Sequence, residues 1–96
     1  MKDKIRILNK IIEKKEEIKR LGVKRIGLFG SFVKGKQKKG SDIDFLVSFE
    51  KITFDNYFLL LRFFEKTFNK KIDLIIESDL KPELNYVKNE AEYVEI

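Results

Sequence analysis

Residues 29–49 read FGSFVKGKQKKGSDIDFLVSF, and this stretch decides the fold of the chain. It runs from an apolar segment through a loop rich in glycine and lysine into a second apolar segment. Two carboxylates, Asp42 and Asp44, stand at the head of that second segment. Aspartate is a poor strand former, and a charge close to a core is costly. The stretch therefore predicts a strand, a loop and a second strand, with two aspartates whose position needs a reason.

The hydrophobic pattern on either side predicts an α/β (α+β) fold, a small mixed sheet flanked by helices in the order α-β-β-α-β-α. A strand–helix–strand unit normally forms a parallel crossover, whereas the shorter link between the first two strands leaves antiparallel pairing open. The third strand is apolar on both faces, so we expect it at the centre of the sheet. The predicted elements are a helix over residues 3–21, strands over 23–30 and 42–49, a helix from Thr53 or Asp55 to about Asn69, a strand over 71–77, and a short final helix opening at Ser78 or Asp79.

Apolar residues at helical spacing predict which sides of the two long helices are buried. The first stripe comprises Ile5, Leu8, Ile11, Ile12, Ile18 and Leu21, and the second comprises Phe58, Leu60, Leu61, Phe64 and Phe68. In the second strand, side chains alternate between faces, so Asp42, Asp44 and Leu46 should lie opposite Ile43 and its apolar companions.

Composition limits the chemistry available to the chain. Ninety-six residues suggest one domain over residues 1–96, and the absence of Cys and His excludes thiolate catalysis, cysteine zinc sites and a histidine base. The net charge of +5 fits an anionic ligand or simply a lysine-rich surface. The sequence shows neither an apolar run of bilayer length nor a signal-peptide core, so we expect a cytoplasmic protein without a membrane partner.

A third carboxylate, Asp73, is the only charged residue between Ile72 and Ile76 in the most hydrophobic predicted strand. An unpaired carboxylate there would be costly or would have to neutralise. A cation shared with Asp42 and Asp44 would satisfy it. An all-oxygen set of this kind suits Mg²⁺ and is also compatible with Mn²⁺, whereas zinc prefers nitrogen and sulfur ligands.

The loop supplies residues suited to a phosphate. Gly30 permits an unusual φ and a close approach, and SFVKG predicts one helical turn whose leading amides could face a phosphate. Candidate nucleotide-binding residues are Gly30, Ser31, Lys34 and Ser41. Lys36, Lys38 and Lys39 are interpreted as solvated loop residues.

The pattern Gly30-Ser31, ten residues, then Asp42-x-Asp44, with Asp73 on a later strand, resembles the DNA polymerase β-like nucleotidyltransferase superfamily. GSFVKG…SDIDFLV followed by IDLII is most similar to its minimal nucleotidyltransferase (MNT) domains, over nearly the whole chain. Many members carry Arg where this chain has Lys34, which keeps the charge but lacks the bidentate fork.

The resemblance implies transfer of a nucleoside monophosphate from ATP with two Mg²⁺ ions. Asp42, Asp44 and Asp73 would be the catalytic metal ligands, with Asp73 also helping to activate the attacking hydroxyl. Gly30 and Ser31 would bind the β- and γ-phosphates.

Stand-alone MNT proteins resemble the antitoxins of HEPN/MNT toxin–antitoxin pairs. This resemblance implies a protein adenylyltransferase that transfers AMP to a tyrosine of a HEPN RNase toxin, without direct nucleic-acid binding. Two alternatives stay open: a non-catalytic module that masks the toxin by contact, and nucleotidyl transfer to an RNA end or a small molecule.

Overall fold

The structure is a computed structural model that describes residues 2–96. Its central feature is a four-stranded sheet in the order β3-β2-β1-β4. The elements are α1 (Lys2–Glu13), α2 (Lys15–Arg20), β1 (Val23–Phe29), α3 (Ser31–Lys34), β2 (Ile43–Phe49), α4 (Phe54–Phe68), β3 (Ile72–Ile76), α5 (Tyr86–Glu90) and β4 (Glu92–Glu95). Two 3₁₀ turns, Glu77–Asp79 and Pro82–Leu84, lie between β3 and α5. None of the described helices is both long and apolar enough to cross a membrane.

The sheet is mixed, as predicted. β1 and β2 pair antiparallel, and α4 carries the chain from β2 to a parallel β3. The predicted central position of the third strand is wrong, because β3 lies at one edge of the sheet. Its neighbour β2 pairs on its other side with β1, and the remaining side of β1 pairs with β4.

One face of the sheet carries the main hydrophobic core. The side chains of Phe45 and Phe64 are fully buried there, with ring centroids 4.7 Å apart. Burial of an aromatic or aliphatic side chain of this size contributes roughly 1.5–3 kcal/mol to stability. The largest fully buried side chains are Phe45, Phe64, Ile11, Ile18, Ile26, Leu28, Ile43, Leu46, Leu60 and Val47. These contacts fix the strands that position the candidate site.

The predicted helix over residues 3–21 is two helices, which meet at Lys14. Ile7, Ile11 and Ile18 are buried, whereas Ile5 and Ile12 are exposed. Ile5 lies two residues from Ile7, and two residues at about 100° each turn a side chain to the opposite side of a helix. Including Ile5 and Ile12 in one buried stripe was therefore wrong.

The fourth helix begins and ends where the sequence predicted. The Thr53 hydroxyl oxygen accepts a hydrogen bond from the Asn56 N–H at 3.1 Å, and Asn69 ends the helix in a left-handed conformation with φ 53°. Phe58, predicted to be buried, is exposed and stacks edge-on against Phe54. It lies two residues from the buried Leu60, on the far side of the helix.

The C-terminal segment differs from the prediction. In place of one short helix opening at Ser78 or Asp79, the chain forms the two 3₁₀ turns and then α5. β4, which was not predicted, pairs antiparallel with β1 and places Tyr93 opposite Gly27. A Cβ atom on Gly27 would lie 2.7 Å from Cε1 of Tyr93, so this glycine makes room for the aromatic ring.

Candidate active site

Gly30 joins the end of β1 to α3 in a conformation that favours glycine. Its φ of 79° and ψ of −149° lie in a region that side chains other than glycine rarely adopt. A Cβ atom there would overlap the carboxylate of Asp44 and lie 3.0 Å from its Cγ. The unusual φ expected at Gly30 is confirmed, and the absence of a side chain lets the backbone approach Asp44.

The helical turn expected after Gly30 is confirmed as α3. The N–H groups of Val33 and Lys34 both donate to the Gly30 carbonyl oxygen at 3.2 Å, and Gly35 ends the turn with φ 71°. The turn buries Phe32 in the core, which leaves Ser31 half-buried beside the end of β1. The core therefore anchors the turn that presents Ser31.

Asp44 and Asp73 lie opposite one another on the parallel strands β2 and β3, and Phe29 is opposite Asp44 on β1. Residues opposite one another on neighbouring strands point to the same face. The pKa of Asp44 is raised from 3.8 to about 6, first by its burial and then by the negative charges of Asp73 and Asp42. The three predicted carboxylates are thus close enough to influence one another.

The side chain of Asp73 is not buried, contrary to the expectation from the sequence. The sequence suggested a carboxylate inside a buried strand, yet Asp73 is exposed while Ile72 and Leu74 on either side are buried. β3 is an edge strand, and Asp73 lies on the face that the main core does not cover. Asp73 belongs to the candidate site because it lies opposite Asp44 on the neighbouring strand, and not because its charge is buried.

The donor set fits a hard divalent cation in its chemistry. The interacting oxygens all belong to carboxylates, and their mutual repulsion would be relieved by a cation. Among residues 2–96, however, no three carboxylates are already gathered as a group that could hold an ion. The side chains would have to turn toward a shared ion as it binds.

The structure places Lys34 and Ser41 in contacts within the protein. The Lys34 ammonium lies 3.3 Å from a carboxylate oxygen of Glu90 on α5, and both side chains are about half exposed. The Ser41 hydroxyl oxygen accepts a hydrogen bond from the Lys38 N–H at 2.8 Å. The N–H of Ser41 donates in turn to the Lys38 carbonyl at 2.9 Å, so Ser41 closes the turn that leads into Asp42.

A polar network that the sequence did not predict lies farther along the same sheet face. Glu77 accepts hydrogen bonds from Arg25 and from the Ser48 hydroxyl, each at 2.8 Å. Partial burial raises the pKa of Glu77, but the hydrogen bonds from Arg25 and Ser48 outweigh it and leave that pKa below its usual value. The Arg25 guanidinium also stacks over the Tyr93 ring at 4.1 Å.

This network joins β1, β2 and β4 to the turn after β3, and so anchors the C-terminal segment that carries Glu90. Arg25 lies within a predicted strand, and its charge there is a sequence signal that could have suggested a partner. The residue that pairs with it, Glu77, is 52 positions away.

Comparisons with known proteins agree with this geometry. Residues 5–95 match the family described as "Nucleotidyltransferase domain". The chain is 42% identical over 69 residues to "Protein adenylyltransferase MntA" of Thermococcus cleftensis, which covers 71% of this chain and 70% of that protein.

Solved structures share the fold. A structure described as "putative minimal nucleotidyltransferase" superposes with a TM-score of 0.73 at 30% identity and covers 88% of this chain and 93% of its own. A "toxin-antitoxin with AMP-PNP" superposes with a TM-score of 0.68 at 23% identity, over 88% of this chain and 69% of that one, and this likeness concerns the fold alone. The chain belongs to the nucleotidyltransferase domain family and has the fold of a minimal nucleotidyltransferase, which confirms the family, fold and enzyme class expected from its sequence.

Proposed function

We propose that this protein is a Mg²⁺-dependent protein adenylyltransferase that acts as an antitoxin in the cytoplasm, transferring AMP from ATP to a tyrosine of a HEPN RNase toxin. The observation that carries the proposal is the contact between Gly30 and Asp44, beside Asp73 on the neighbouring strand. It brings a backbone suited to phosphate next to carboxylates suited to a cation. The name of the Thermococcus relative supports the reaction, and the fold shared with a toxin–antitoxin structure supports the biological setting.

In the proposed reaction, the tyrosine oxygen attacks the α-phosphorus of ATP. A bond forms between that oxygen and phosphorus, the bond from the α-phosphorus to the bridging oxygen breaks, and pyrophosphate leaves. Bound Mg²⁺ would neutralise the charge on the phosphate oxygens and on the leaving group. Asp42, Asp44 and Asp73 would hold it.

The remaining roles belong to groups of this chain. Gly30 and Ser31 would hold the β- and γ-phosphates, since the lack of a side chain at Gly30 lets the backbone lie directly beside Asp44, where the cation would bind. Asp73 is exposed, so it is accessible to an incoming tyrosine hydroxyl and would accept its proton. Asp44, with a pKa of about 6, would be mostly ionised at neutral pH.

Lys34 and Ser41 have smaller proposed roles. Lys34 would leave its contact with Glu90 and place its ammonium group beside the triphosphate. Ser41 would act by holding the turn before Asp42, with its hydroxyl hydrogen still available to a phosphate oxygen.

Neutralisation of the toxin distinguishes catalysis from masking by contact. We expect Asp73→Asn to form the complex with the toxin but to leave its RNase activity intact, because the exposed carboxylate can be removed without a loss of packing. A matched control, Asp79→Asn, changes an exposed acid in the turn after β3 and should neutralise like the unchanged protein. Full neutralisation by Asp73→Asn would contradict the proposed reaction and favour masking. Label from ATP that enters RNA or a small molecule instead of the toxin would favour a different acceptor.

A further inference from the structure

A cavity of about 450 Å³ lies between the N-terminal half of α1, the β1–β2 loop and the C-terminal end of α4. Its wall includes Ile43, which stands between Asp42 and Asp44 but points to the opposite face of the sheet. Gly30 and the three candidate metal ligands do not line the cavity. The cavity is therefore separate from the candidate active site, and Phe32 and Ile43 lie between the two.

The cavity is strongly cationic. Five basic residues line it against a single acid, Asp3; they are Arg6, Lys10, Lys38, Lys39 and Lys70. Within residues 3–96, only Lys10 among the five forms an ion pair, at 3.4 Å with Glu13. Like charges gathered around one cavity repel one another, and a bound anion would relieve that repulsion.

Within the described part of the chain, the side chain of Gln37 lacks a hydrogen-bond donor for its amide oxygen, and an anion without an N–H or O–H group cannot supply one. Its amide nitrogen donates to a carboxylate oxygen of Asp3 at 3.2 Å, and this fixes the orientation of the amide because a carboxylate only accepts. The amide oxygen of Gln37 is buried and has no hydrogen-bond partner among the described residues. A buried acceptor without a donor is costly, so a ligand with an N–H or O–H group would stabilise it.

The apolar part of the cavity suits a flat ring. Ile7, Phe32 and Ile43 form a buried floor, and the half-buried ring of Phe68 stands beside it. Nucleic-acid bases stack favourably on aromatic side chains of this kind. The volume falls within the roughly 300–1,000 Å³ typical of small-molecule sites.

We propose that this cavity is a second nucleotide site that binds a mononucleotide with an exocyclic amino group. The phosphate would lie among Arg6, Lys38 and Lys70, the base against Phe68, and the amino group would donate to the Gln37 amide oxygen. Inorganic phosphate would interact only with the basic residues, and a nucleoside would interact only with Phe68 and Gln37. The site is independent of the proposed adenylylation, because it uses none of the residues assigned to that reaction.

The test is a titration of the ¹⁵N-labelled protein with AMP, adenosine and inorganic phosphate in EDTA, followed by amide chemical shifts. We expect AMP to shift the amides of Gln37, Lys38 and Lys70, and to bind at least about tenfold more tightly than adenosine or phosphate. Shifts confined to Gly30, Ser31 and Asp44 would overturn the proposal, as would equal binding of AMP and phosphate. Shifts produced at the cavity by an RNA oligonucleotide but not by AMP would also overturn it.

Two pairs of lysine variants with the same change in net charge distinguish binding at the cavity from an effect of net charge. Lys38→Ala with Lys70→Ala should weaken AMP at least about tenfold, whereas Lys15→Ala with Lys19→Ala, two exposed lysines on α2, should stay within about twofold. Gln37→Leu should weaken AMP but leave phosphate binding unchanged. If both lysine pairs weaken AMP equally, the binding reflects net charge and the proposal fails.

Discussion

The two sides of the sheet differ in charge next to the β1–β2 loop: strand carboxylates lie on one side, and basic residues of α1, the loop and the segment after α4 lie on the other. Asp44 and Asp73 lie opposite one another on one side, where burial first and like charge second raise the pKa of Asp44. On the other side, five basic residues surround the cavity behind Ile43. Because neighbouring strand residues point to opposite faces, the two charged regions cannot neutralise one another by direct contact. One short loop can therefore serve a site that needs a cation and a site that accepts an anion.

The largest expected effect concerns the acidic face. Asp44→Asn should reduce the rate of AMP transfer about 10²–10³-fold, because it removes charge at the position where the three carboxylates interact. The rate is measured with labelled ATP and the partner toxin. Asp55→Asn, an exposed acid in the first turn of α4, should stay within about twofold. An Asp44→Asn variant that kept more than a tenth of the rate would contradict a catalytic role for the acidic face.

The close approach of Gly30 to Asp44 predicts a large loss of stability. Gly30→Ala should lower the free energy of unfolding by about 2–4 kcal/mol, from its positive φ and from overlap with the carboxylate. Gly40→Ala is the matched control, since Gly40 has φ +88° but nothing within 4 Å of an added Cβ atom. It should lose only about 1–2 kcal/mol. Equal losses in urea unfolding would show that Asp44 does not occupy the space beside Gly30.

The raised pKa of Asp44, which results first from its burial and then from repulsion by Asp73 and Asp42, predicts a pH dependence of folding in EDTA. The folded protein holds a proton on Asp44 more tightly than the unfolded chain, so stability should fall as the pH rises from about 4 to 6. Solvent screening of the partly exposed carboxylate reduces the contribution to about 1 kcal/mol. Unfolding curves of the unchanged protein and Asp44→Asn should diverge over this range, with the variant less sensitive to pH. Parallel curves would show that Asp44 is not the source of the pH dependence.

The smallest expected effect tests the Lys34–Glu90 contact. Glu90→Gln should lower the KM for ATP about two- to threefold, because Lys34 would no longer have to leave a carboxylate to reach the phosphates. Glu17→Gln, which removes the acid of a comparable exposed pair with Lys14, should leave KM unchanged. A KM that rises in Glu90→Gln would show that the contact positions Lys34 for ATP instead of withholding it.

The sequence predicted those parts of the fold that depend on local pattern and on spacing. The turn at Gly30, the Thr53 cap and the parallel link from β2 to β3 were all confirmed. Alternation along a strand placed Asp44 opposite the main core, as the structure shows. The catalytic and binding roles of these residues stay predictions.

The features that the sequence did not predict depend on contacts between distant segments. The edge position of β3 follows from sheet order, which the apolar pattern of IDLII does not specify. β4 spans only Glu92–Glu95 and is stabilised by pairing with β1, far away in the chain. The basic cavity combines Arg6 and Lys70 with loop lysines that the sequence indicated only as solvated. Charge clusters of this kind become visible only when the fold brings their members together.

Transfer of AMP to the toxin is tested most directly by the intact mass of the toxin after incubation with this protein and ATP. We predict a mass increase of one or more AMP groups with Mg²⁺, no increase with EDTA, and, over the same short incubation, no detectable increase with Asp44→Asn in either condition. A toxin that is silenced in the presence of Mg²⁺ and ATP while its mass stays unchanged would contradict neutralisation by AMP transfer.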